Sequence, residues 1–90
     1  MKTWKIRVLG RVQGVGYRYF TLAAAKRLSL KGWVKNNSDG SVGIIAQGEE
    51  GAINLFIHEL YEGPLMASVE KVETEILEQD EYPIFTIKGW

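Results

Sequence analysis

The 90-residue sequence predicts an α+β sandwich: one antiparallel sheet with two helices on one face, ordered β-α-β-β-α-β, plus a short extra C-terminal strand. Apolar residues recur with a period of two in several short segments. They recur at helical spacing in two longer segments set between these. A turn-rich stretch, "KNNSDGS", joins the two middle strands as a hairpin.

Each element follows in order. Residues 2–12 alternate, with Trp4, Ile6, Val8, Gly10 and Val12 on one face and Lys5, Arg7 and Arg11 on the other. Residues 18–30 read as an amphipathic helix: Tyr17, Phe20, Ala24 and Leu28 form a stripe, and Gly32 suits its stop. Trp33 and Val34 begin the hairpin, Asp39-Gly40 turns it, and residues 42–46 return. The helical period resumes over 52–62, with Ile53, Phe56, Ile57 and Leu60 inward, and Gly63-Pro64 ends it. Residues 69–77 form a strand with outward glutamates, and Phe85 and Ile87 support a short last one. The arrangement is ferredoxin-like, an architecture that serves many unrelated functions.

Composition narrows the classes of function. At this length the chain is expected to be a single domain, residues 1–90, with one modest core. Hydrophobic residues at 46% and charged residues at 24% are ordinary for a globular protein. Lys plus Arg number 11, as do Asp plus Glu, and a net charge of zero argues against a nucleic-acid backbone as the main partner. No apolar run approaches the roughly 20 residues that span a bilayer, and the N-terminus alternates instead of forming a signal-peptide core. Without cysteine there is no disulfide framework, thiolate nucleophile or cysteine metal site, which suits a reducing cytoplasm.

Residues 10–18 read "GRVQGVGYR" and lie between the first strand and the first helix. The opening amides of a helix lack intrahelical partners and the macrodipole there is positive, so an anion binds readily. Gly14, Val15 and Gly16 can turn successive amides toward such an anion, and the planar guanidinium of Arg18 can hold two phosphoryl oxygens. Taken alone, the loop also reads as a tight strand–helix connection with a surface arginine.

The loop has company. "GRVQGVGYR" and "GWVKNNSDGSVGIIAQG" together resemble the two signature segments of the acylphosphatase family, and the likeness continues through "GPLMASVEKVE" over nearly the whole chain. The resemblance implies a phosphate-binding loop of Gln13, Gly14, Val15, Gly16, Tyr17 and Arg18, with Arg18 gripping the phosphoryl group. It implies that Asn36 orients the attacking water. Alternation separates Asn36 from its neighbour Asn37: Val34 and Asn36 share one face of the strand, and Trp33, Lys35 and Asn37 the other. Two positions depart from the family pattern. Tyr17 stands where phenylalanine is commoner, and Gly43 where a glutamate is common.

The implied activity is hydrolysis of acyl phosphates to a carboxylate and inorganic phosphate, with no metal and no cofactor. The expected partners are small molecules, with neither nucleic acid nor membrane, and the chain is expected to be a monomer. A carboxylate leaves without protonation, so positioning and charge stabilisation suffice. Other candidates have plainer readings. His58 lies in line with Asn54 and Glu62 on an outer helix face; Glu70, Glu73, Glu75 and Glu78 read as a solvated strand face. Trp4, Trp33 and Trp90 read as packing or sheet-face residues, and Asp39 as a turn residue. The rival is a non-enzymatic phosphate- or ligand-sensing module on the same sandwich. An RNA-binding sheet would find slight support in Lys5, Arg7, Arg11 and Trp33, but its aromatic signature is missing.

Overall fold

A computed structural model describes residues 2–89. Its elements are β1 (Lys2–Arg11), α1 (Tyr17–Arg27), β2 (Lys31–Asn36), β3 (Val42–Gln47), α2 (Glu50–Glu62), β4 (Ser68–Glu78) and β5 (Phe85–Ile87). The sheet order is β4-β1-β3-β2-β5. The first four strands pair antiparallel, and β5 joins the β2 edge in parallel, so the sheet is mixed.

Alternation fixes which face meets the helices. Trp4, Ile6 and Val8 from β1, Val34 from β2, and Val42, Ile44 and Ala46 from β3 enter one buried cluster. The helices supply Tyr17, Ala24, Ala25, Ile53, Phe56 and Leu60 to it, and Phe85 joins from β5. Phe56 and Phe85 meet edge-to-face at 6.2 Å, a geometry that suits the quadrupoles of the two rings. Removing these side chains from water is what holds the two layers together.

The first helix departs from its predicted stripe in two ways. Thr21 and Ala25 are buried while Phe20 and Leu28 are only half-buried. Thr21 can sit inside because its hydroxyl donates to the Tyr17 carbonyl one turn back, at 2.9 Å. The helix ends at Arg27, and Ser29, not Gly32, makes the turn that stops it. Ser29 takes the left-handed conformation (φ 59°), and the amides of Ser29 and Leu30 close on the carbonyls of Lys26 and Ala25 in a Schellman motif. Gly32 is instead needed within β2, where a Cβ would stand 1.9 Å from the Ile45 carbonyl oxygen.

Candidate active site

The end of β1 and the start of α1 are joined by five residues that the rest of the fold holds in place. Val12 is buried in the core and Val15 packs against it. The Gln13 amide donates to the carbonyls of Asn37 and Ser41, at 2.8 and 2.9 Å, tying the loop to the β2–β3 turn. That side chain is committed to the hairpin, so contact between Gln13 and an anion would run through its backbone. Gly14 (φ 73°) and Gly16 (φ 80°) adopt backbone conformations that other residues rarely take, with open space where a Cβ would stand. The requirement at both positions is conformational, not steric.

Gly16 is the N-cap of α1, and no side chain caps the helix. The first turn of α1 contains no acidic residue, whereas α2 carries Glu50 in its own. The positive end of the α1 dipole therefore meets no carboxylate from its own first turn.

Tyr17, at the first helical position, is 1% exposed, and its hydroxyl donates to the Leu60 carbonyl at 2.6 Å. That carbonyl lies in the last turn of α2, where acceptors lack intrahelical partners. The bond answers how a tyrosine fits a place where phenylalanine is usual. Burial pushes the phenol well above its ordinary pKa, so the group stays a donor.

These elements enclose a cavity of about 120 Å3, against about 30 Å3 for a water molecule in the liquid. Val12, Gly14, Gly16, Tyr17, Arg18, Tyr19 and Asn36 line it. The half-buried Arg18 and Asn36 thus border the same small space, one from the first turn of α1 and one from the end of β2. The Asn36 carboxamide oxygen is buried and has no hydrogen-bond partner among the described residues. Stranding such an acceptor costs about 1–3 kcal/mol.

Asn37 projects to the other side of the sheet. Its amide donates to the Ser41 hydroxyl at 3.0 Å, and it borders the open face beside Gly43. Asp39 accepts from the Ser41 amide and hydroxyl and from Arg7, which together hold its carboxyl below the usual carboxylate range. Both serve the hairpin turn. His58 lies 3.6 Å from Glu62 on an exposed face of α2 and borders none of this. Glu73 is ion-paired with Arg7 and Lys71. Trp90 lies outside the described residues. Among these, no three His, Asp or Glu side chains cluster as metal ligands. Sequence reasoning missed Tyr19 as a lining residue. Its neighbour Arg18 was the available signal, since side chains opening a helix share the space before it.

The acylphosphatase family model matches residues 4–87. The chain belongs to the acylphosphatase family. It is 51% identical over 88 residues to an acylphosphatase of Thermotoga petrophila, covering 98% of each chain. The solved acylphosphatase of Bacillus subtilis superposes with a TM-score of 0.94 at 38% identity, over 99% of this chain and all of that one. One from Coxiella burnetii gives 0.92 at 37% identity, over 97% and 92% of the two chains. The antiparallel arrangement of the first four strands and the two helices is thus this family's fold, with β5 completing the edge.

Inorganic phosphate at a hundredfold excess over Kd should stabilise the native state by about 2.7 kcal/mol. For a domain this small the melting temperature should rise by roughly 10–20 °C. Chloride at matched ionic strength should do much less, because a sphere cannot satisfy both the guanidinium fork and the loop amides. Equal shifts in a calorimetric melt would reduce the loop to a tight turn.

Proposed function

We propose that this member of the acylphosphatase family hydrolyses acyl phosphates by attack of water on phosphorus, within the cavity that Arg18 and Asn36 share. The buried oxygen of Asn36, without a hydrogen-bond partner among the described residues, carries the reading. The amides at Gly14–Arg18 and the Arg18 guanidinium hold the phosphoryl oxygens and balance the charge on them in the transition state. Water donates one O–H to the Asn36 oxygen, which turns a lone pair of the water toward phosphorus. The new P–O bond forms as the bond to the carboxyl oxygen breaks. The carboxylate leaves with that electron pair and the water's second proton passes to a phosphoryl oxygen. An acyl phosphate dianion and water thereby give a carboxylate and dihydrogen phosphate.

No residue need act as a general acid, because a carboxylate is a weak enough base to leave unprotonated. Nor does any step call for a metal or a cofactor. The enzyme works on this reading as a monomer in a reducing cytoplasm, the latter supported by a cysteine-free sequence. No helix among the described residues is long and apolar enough to cross a membrane.

The test is phosphate release from benzoyl phosphate in EDTA, beside p-nitrophenyl phosphate. Turnover of the acyl phosphate should persist, and the ester should react far more slowly. Loss of turnover in EDTA with restoration by Mg2+ would overturn the metal-free reading. Phosphate binding with no turnover would favour a sensing module.

A further inference from the structure

The open face of the sheet, away from both helices, holds a second cavity of about 520 Å3. Small-molecule sites usually measure about 300–1,000 Å3. Ile45 lies at its floor, and the Asn37 carboxamide covers Gly43. In the strand register Lys5 and Trp33 flank Ile45, and Arg7 and Lys35 flank Gly43. Long side chains on either side of this floor make a trough.

One end of the trough is walled by the connection between β4 and β5. These strands occupy opposite edges of the sheet, so residues 79–84 must cross it. Gln47 pins the crossing: its amide donates to the Asp80 carbonyl at 2.8 Å, and its oxygen accepts from the Tyr82 amide at 2.8 Å. The Lys31–Glu81 ion pair holds the same segment. Thr3 and Gln47 are consequently buried on the face without helices, and Gln79 and Tyr82 stand over the trough.

The charge around it is one-sided. Arg7 is balanced by Asp39 and Glu73. Lys5, Lys35 and Lys88 make no ion pair with a carboxylate among the described residues, although Glu75 stands opposite Lys5 on β4. Two of these ammonium groups rest instead near the Trp33 ring, Lys88 at 4.5 Å and Lys35 at 5.7 Å from its centroid.

We propose that this trough is a second ligand site, for a flat aromatic anion: a single ring system bearing a phosphate or carboxylate. The ring would lie on Ile45 between Trp33 and Tyr82, beside the Asn37 carboxamide, where apolar and aromatic surfaces meet it. The anionic group would draw Lys35 and Lys88, whose charges no carboxylate among the described residues offsets. The site stands on the face opposite the phosphate cavity and does not rest on the hydrolytic reading.

Amide chemical shifts of the 15N-labelled protein, titrated with AMP in saturating inorganic phosphate, test it. Adenosine, ribose 5-phosphate and benzoate form the other arms. AMP should shift the amides of Trp33, Lys35, Gly43, Ile45 and Lys88 saturably, and adenosine and ribose 5-phosphate should bind much more weakly. Saturation by benzoate as well would extend the site to aromatic carboxylates. The folded double variant Lys35→Glu/Lys88→Glu should bind AMP about tenfold more weakly or worse, from two reversed charges near the ligand. AMP shifts confined to residues 14–18, equal binding of AMP and ribose 5-phosphate, or an unchanged affinity in the double variant would overturn the proposal.

Discussion

Replacing Arg18 by alanine is expected to lower kcat by about 10²–10³-fold, the usual cost of removing a donor aimed at transition-state charge. The fold should survive, because Arg18 is half-buried at the mouth of the cavity and lies outside the core cluster. Lysine should rescue poorly. Its ammonium is a point charge, whereas a guanidinium presents a planar fork that matches two phosphoryl oxygens at once. The phosphate-dependent rise in melting temperature should largely disappear in the same variant. Steady-state kinetics with benzoyl phosphate, with circular dichroism to confirm folding, would decide the matter. A folded Arg18→Ala protein of undiminished kcat would sink the proposed role.

Asn36→Ala should have the second-largest effect and a different signature. Without its oxygen, water in the cavity loses the acceptor that aims it, and a misplaced reactant costs about 10²-fold in rate. KM should change little, because the phosphate's own partners remain, and for the same reason the phosphate-induced melting shift should persist. Asn37→Ala should leave kcat within a few-fold and lower the melting temperature instead, since that side chain braces the hairpin through Ser41. Reversed effects at the two asparagines would mean that the strand face had been misassigned.

The separation of these two asparagines was legible in the sequence because strand alternation is a local rule. Val34 and Asn36 had to share a face, and Val34 is fully buried under the helices. The glycine loop was legible for a related reason: positive φ at Gly14 and Gly16 is a demand that residue identity answers directly. The features that escaped depend on distant partners. Nothing local marks Gly32 as a strand residue, since its constraint is the Ile45 carbonyl on the neighbouring strand. Gln13 read as part of an anion cradle, but its side chain is claimed by carbonyls 24 and 28 residues away. The parallel pairing of β5 follows from the crossing of residues 79–84, which Gln47 holds from across the sheet. Alternation places Lys5, Arg7 and Trp33 on the outward face, yet only the crossing turns that face into a walled trough.

The central claim is that water, held by Asn36, attacks phosphorus rather than the carbonyl carbon of the substrate. Hydrolysis of benzoyl phosphate in 18O-labelled water, with both products weighed by mass spectrometry, tests this most directly. One labelled oxygen is expected in the phosphate and none in the benzoate. Label in the benzoate would place the attack on carbon and contradict the account.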